Sequence, residues 1–236
     1  MGERNQFGII TNATNMTKNH IVFSSLMPNK NGGANTMFVN TSDQSKFRFQ
    51  LNNVYLPFGL SEWKQEGSSE EGKKSIDISF RDPNDQLENF RRFVDLVDQL
   101  VVDKCVSGEL LGTPKVEEVA LELFKKSIKD DITGKYADTM KIGINNMSKI
   151  FNKERKEIDF NLENIPKGSI VDVIVELAFV YVIGKKNYGV VWRVGQMKMK
   201  EGVMKLPPCA FTYEDGDSDW DDDNMSDNGA PYKPFD

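Results

Sequence analysis

Lys46, Arg48, Lys141, Lys185, Lys186, Arg193, Lys198 and Lys200 all fall on or beside segments whose apolar residues alternate, and Tyr55, Trp63, Tyr181, Tyr188 and Trp192 lie close to them in sequence. Cations spaced along strands can track a chain of phosphates, and aromatic faces between them can stack bases at about 1–3 kcal/mol each. Such chemistry reads no base edge and tolerates any sequence. The plainer reading of each residue is that a strand lysine is a solvated face and a neighbouring aromatic is core. Register decides between the two.

Catalysis has less to work with. His20 is the sole histidine and ends a polar stretch, where a structural role is expected. The two cysteines, Cys105 and Cys209, cannot build a disulfide framework or a Cys/His metal array. No glycine-rich dinucleotide or phosphate loop is present. Asp77, Asp138, Asp159 and Asp172 fall without the pattern that a two-metal nuclease needs. We therefore expect a non-enzymatic protein with no cofactor and no metal. The first twenty residues lack the apolar run of a signal peptide, and no stretch approaches the roughly 20 apolar residues that cross a bilayer. An intracellular location with no membrane partner is expected.

These side chains need strands to hold them. "HIVFSSLM" and "TMFVNTS" are short strand candidates. In "KFRFQLNNVYLPFGLSEW", Phe47, Phe49 and Leu51 face one way and Lys46, Arg48 and Gln50 the other, until Pro57 and Gly59 interrupt. "SIDISF" and "KYADTMKIGIN" alternate in the same manner. Between them the period becomes helical. One helix is expected from Asp82 as N-cap and Pro83 at the first position, through Leu87, Phe90, Val94, Val97 and Val101. A second, of similar length, is expected to start at Thr113–Pro114.

The strongest pattern is "SIVDVIVELAFVYVIGKKNYGVVWRVGQMKMK", a long hairpin turning at Gly184–Asn187. Its first strand places Val171, Val173, Val175, Leu177, Phe179, Tyr181 and Ile183 on one face. Pairing Ile183 with Tyr188 adds Tyr188, Val190, Trp192 and Val194 to that face, and puts Asp172, Glu176, Arg193 and Gly195 on the other. Tyr188 and Trp192 thus stand between core and base stacking, while Arg193 is poorly explained as plain surface. The whole pattern implies a mainly β protein with a helical insertion near 83–130, in the form of an OB-fold-like antiparallel β-barrel. Residues 1–19 read as a flexible arm, 20–212 as the body and 213–236 as a disordered tail.

Charge separates that tail from the rest. The chain has a net charge of −6, yet residues 213–236 hold nine acidic residues and one basic, leaving 29 basic and 27 acidic in residues 1–212. Such asymmetry marks an acidic tail beside a basic surface. Trp220 and Phe235 are apolar groups that a purely solubilising tail does not need, and Asp221, Asp222 and Asp223 are consecutive. Tethered beside a cationic groove, the tail would compete with nucleic acid at an effective concentration of roughly millimolar, and once displaced could offer Phe235 to a partner.

The hairpin segment Gly168–Lys200, with its Tyr-Gly-x-x-Trp run, and the acidic tail with an aromatic near its tip resemble the single-stranded DNA-binding proteins of the type named after the T-seven phage, with relatives in large nucleocytoplasmic DNA viruses. The resemblance implies an OB-fold body, coating of single-stranded DNA in viral replication, recombination or repair, and recruitment of polymerase, helicase or primase by the tail. It also implies a possible homodimer and a place in host cytoplasm or nucleus. This chain departs from the type in carrying Asp236 after Phe235.

The expected DNA contacts are Lys46, Arg48, Tyr55, Trp63, Lys141, Lys185, Lys186, Tyr188, Trp192, Arg193 and Lys198. The expected partner-binding residues are Trp220, Asp221, Asp222, Asp223 and Phe235. The rival readings are an acidic-tailed interaction scaffold or chaperone that binds no nucleic acid, and a metal-dependent nuclease.

Overall fold

Phe47, Phe49, Leu51, Val54 and Leu56 are all buried along one strand, whereas Arg48, Gln50, Asn52 and Tyr55 between them keep some exposure. This alternation, reset at Asn52–Asn53 where Asn53 takes a φ of +56°, makes β4 (Arg48–Leu56), which starts directly after Phe47, a wall with a dry inside and a wet outside. The computed structural model describes residues 10–29, 33–41, 45–64, 72–81, 83–184 and 186–201, with the backbone alone at 15 and 201.

Three short elements precede that wall: β1 (Ile21–Phe23), β2 (Met27–Pro28) and β3 (Ala34–Asn40). After it come β5 (Leu60–Trp63) and β6 (Lys73–Ser79), then α1 (Asp85–Val106) and α2 (Glu117–Leu123). The chain returns to strands in β7 (Phe124–Lys125), β8 (Ile128–Lys129), β9 (Thr139–Gly143), β10 (Lys149–Phe151) and β11 (Glu157–Ile158). It finishes in the hairpin of β12 (Ser169–Ile183) and β13 (Asn187–Glu201).

Pairing runs β4–β12–β13–β9–β6–β5, and β5 is the continuation of β4 beyond a bend at Pro57–Gly59. One bent strand therefore meets both ends of the sheet, which closes a five-stranded barrel of the OB type. Gly59 makes the bend possible. Its φ is +65°, and an added Cβ would lie 2.5 Å from the carbonyl oxygen of Ile165. The barrel is mixed rather than wholly antiparallel, because β13 pairs in parallel with β7, β9 and β10.

The core is aromatic where α1 packs on the barrel. Phe90 and Phe93 meet Phe49 at ring separations of 5.4 and 4.6 Å, and Phe90 meets Trp192 edge-on at 5.5 Å. These geometries are the favoured ones for ring pairs. The helix starts later than expected. Asn84, not Asp82, caps it, its side chain accepting from the Leu87 N–H at 2.9 Å, and residue 82 lies outside the described residues. The second helix is far shorter than expected and has no Thr113 cap. Val116 precedes its first turn, and the chain turns into β7 and β8 instead, where Phe124 packs on Tyr188 and Ile128 is buried. Of the expected arm, residues 10–19 lie against the body: Thr11 bonds to the backbone of Arg48, and Ala13 and Met16 pack on the core. His20 has a local role, its Nδ1 accepting from the Thr17 N–H at 3.1 Å.

The hairpin differs from expectation in an instructive way. Asn187, not Tyr188, pairs with Ile183, and Tyr188 pairs with Val182. A bulge at Ala178 then reverses the alternation, so Val180 and Val182 are buried while Phe179 and Tyr181 are half-buried and Ile183 is exposed. The bulge sits where β12 changes partner from β4 to β3. The two offsets cancel along β13, which leaves Tyr188, Trp192 and Val194 pointing inward.

Candidate nucleic-acid interface

The outward face of β4, β12 and β13 gathers much of the predicted chemistry. Arg48 pairs across with Glu176, and Glu176 with Arg193. Asp172 likewise pairs with Lys198. Around this face runs a trench with two lobes. One, of about 350 Å³, is lined by Lys46, Arg48, Met147, Glu176 and Arg193; the other, of about 470 Å³, by Phe151, Arg155, Asp172 and Lys198. Ile174 and Gln196 line both, so the lobes are neighbours on one face of the sheet.

Each lobe holds a carboxylate between two cations. Lys46 Nζ and Arg48 Nε donate to Glu176 at 2.8 and 2.9 Å. Lys198 and Lys200 approach Asp172 at 3.3 and 3.2 Å, and the Asn53 N–H donates to it at 3.0 Å. Burial alone would raise both carboxyls. The hydrogen bonds and the positive charges outweigh it and hold both below the usual carboxylate range. Both are therefore ionised at neutral pH. Arg193 sits apart from these pairs, its guanidinium carbon 5.0 Å from the centre of the Phe179 ring.

Met147 was not among the expected contacts. It is 69% exposed at the lip of the first lobe. Its turn is held firmly: Asn145 Oδ1 accepts from the Met147 and Ser148 N–H groups, and the Ser148 hydroxyl donates to the Val194 carbonyl at 2.6 Å. The turn follows the expected strand "KYADTMKIGIN", and nothing in its residue types told what pins it. Phe151 and Arg155 were missed too, since the small hairpin of β10 and β11 has too few residues to show a period.

The remaining expected contacts disperse. Tyr55 lies on the trench face opposite Ile170. Trp63 is 60% exposed on β5 with Lys73 5.9 Å from its ring, and Lys141 on β9 faces Asp77. Asp77 is raised by burial, against Lys141 and Lys129. This second ledge is continuous with the trench through one cross-strand row, Ser61–Ser75–Gly143–Arg193–Glu176–Arg48. Lys186 is exposed at the hairpin tip. Tyr188 and Trp192 are withdrawn as stacking platforms because both are buried. The Tyr188 hydroxyl donates to the Ala120 carbonyl at 2.7 Å, and Trp192 Nε1 donates to Ser127 Oγ at 3.1 Å. Lys185 and the tail residues Trp220, Asp221, Asp222, Asp223 and Phe235 lie outside the described residues. Among the described residues no group of three His, Cys, Asp or Glu side chains is placed to hold a metal ion.

A family model described as "Family of unknown function (DUF5871)" matches residues 73–214. The chain belongs to that family. No curated protein matches the sequence. Among solved structures, this DUF5871 member is similar to the single-stranded DNA-binding protein from bacteriophage Enc34, in a complex with ssDNA, at 18% identity and a TM-score of 0.47, covering 75% of this chain and 96% of that one. It is also similar to gp2.5, a single-stranded DNA-binding protein encoded by bacteriophage T7, at 12% identity and a TM-score of 0.43, covering 68% of this chain and 95% of that one.

Proposed function

We propose that the chain binds single-stranded DNA without sequence preference along the trench, as a non-enzymatic coat in viral DNA replication, recombination or repair. One observation carries this reading. Lys46, Arg48 and Arg193 line one lobe of the trench and Arg155 and Lys198 the other, where Lys200 joins Asp172 from beside it, with Ile174, Phe151 and Met147 along its length. A polynucleotide alternates phosphate charge with apolar base surface, and a groove of cations around an apolar floor suits that repeat. The cations serve phosphate, which gives affinity without base choice.

The tail supplies control in this proposal. β13 ends at Glu201, and the acidic segment 213–236 belongs to the chain beyond it. Its aspartates compete for the same cations until a DNA strand displaces them, and Trp220 and Phe235 then recruit replication proteins. Fluorescence-anisotropy titration with labelled oligothymidine tests this. Deleting residues 213–236 is expected to tighten binding, and rising salt to weaken it steeply in both forms. Absence of binding at low salt in both forms would favour the interaction scaffold instead.

A further inference from the structure

Asp172 and Glu176 stand four residues apart on β12, about 13 Å along the strand, and each faces two cations of the trench. In both clusters the carboxylate is the deeper partner. The Glu176 and Asp172 side chains are 12% and 15% exposed, against 46% and 32% for Lys46 and Arg48 and 39% and 36% for Lys198 and Lys200. A carboxylate accepts the same charge-assisted hydrogen bonds as a phosphate oxygen. Being deep, ionised and fixed to the strand, it cannot diffuse away as a solvent anion would.

Resting on the nucleic-acid reading above, we infer that Glu176 and Asp172 are affinity-limiting residues: built-in anions that hold the trench cations in competition with phosphate. Arg48 shows the division of labour. Its Nε is committed to Glu176 at 2.9 Å, which leaves the terminal nitrogens as its contribution to a bound strand. Lys198 and Lys200 share one carboxylate, which the Asn53 N–H holds in position. The trench therefore grips less tightly than its cation content suggests. A coat protein that must later be stripped from DNA gains reversibility by this device, independently of any tail.

The test is oligothymidine affinity as a function of salt for the full-length protein, Glu176→Gln, Asp172→Asn, and Asp103→Asn on α1 as a charge-matched change outside the trench. Glu176→Gln is expected to bind roughly three- to tenfold more tightly than wild type, with a salt slope steeper by about 0.7 for each further phosphate that the freed cations neutralise. Asp172→Asn repeats the effect at an independent cluster, and Asp103→Asn gives a smaller gain with the slope unchanged. Weaker binding by both trench variants would show that the carboxylates only position their cations, and equal gains from all three would reduce the effect to net charge. Either result overturns the inference while leaving DNA binding intact. Failure of wild type and variants alike to bind would bring down both readings together.

Discussion

The guanidinium of Arg193 lies 5.0 Å from the centre of the Phe179 ring, although the two residues belong to different strands of one hairpin. The Ala178 bulge creates this contact, since without it Phe179 would point into the barrel. A guanidinium attracted to a ring commits none of its N–H donors to a carboxylate, so they stay available to a phosphate. Arg193→Ala is expected to weaken oligothymidine binding by about tenfold or more, the worth of a hydrogen bond to a charged group. Its melting temperature should change little, because such a contact is worth about 0.5–1 kcal/mol at an exposed site. Arg193→Lys should recover only part of the affinity, since lysine keeps the charge but not the plane. Unchanged binding by Arg193→Ala in a folded protein would remove Arg193 from the interface.

Met147 is expected to meet bases rather than phosphates. Met147→Ala should reduce affinity for oligothymidine by about 1 kcal/mol, some fivefold, with the salt slope unchanged. An abasic oligomer of the same length serves as the control. Equal losses on both ligands would show that Met147 makes no base contact.

The bend that closes the barrel predicts a stability effect. Gly59→Ala places a Cβ against the Ile165 carbonyl and demands a positive φ of an alanine, at a combined cost of at least about 1–2 kcal/mol. Chemical denaturation should show a lowered midpoint. An unchanged midpoint would mean that the bend is not under this constraint.

Asp98 predicts a pH dependence. Burial in α1 pushes its carboxyl up to about 6 from 3.8, against hydrogen bonds from the Ser127 hydroxyl and N–H. A folded-state value above the unfolded one means that the protonated form favours folding. The stabilisation is thus full below about 3.8 and lost as pH rises through about 6. Wild type should therefore lose stability relative to Asp98→Asn by on the order of 3 kcal/mol across that window, with no further change above it. Thermal melts of both proteins across the range check this, and parallel curves would contradict it.

Much of this was legible in the chain. Period-two alternation in Phe47–Leu51, Ile76–Phe80 and Met140–Ile142 reports a wall wet on one side, so β4, β6 and β9 could be read directly. Val171–Leu177 was legible for the same reason. Beyond it, "AFVYVI" is apolar at every position, so nothing in residue type reveals a bulge that exchanges the faces, and only the change of partner from β4 to β3 sets it. "VEEVALELF" carries a helical period, but Phe124 and Ile128 gain more by packing on β13 and β9 as strands than by prolonging α2. In the site, Lys46, Arg48, Arg193 and Lys198 could be named from strand faces. The partners of Lys46, Arg48 and Lys198 (Glu176 and Asp172) and of Arg193 (the Phe179 ring) could not, because cross-strand register decides which groups meet. Tyr188 and Trp192 show the limit most clearly: each has an apolar body and a polar edge, and a buried acceptor from Ala120 or Ser127 claims that edge.

The central claim is that DNA lies on β4, β12 and β13 rather than on the ledge of β5, β6 and β9, where OB-folds commonly take oligonucleotides. Oligothymidine affinity of two charge-matched double variants compares the faces directly: Arg48→Ala with Arg193→Ala in the trench, and Lys73→Ala with Lys141→Ala on the ledge. The trench pair should lose at least about tenfold more affinity than the ledge pair, and its salt slope should flatten by about 1.4, or about 0.7 for each phosphate no longer neutralised. Equal losses, or a greater loss from the ledge pair, would contradict the account.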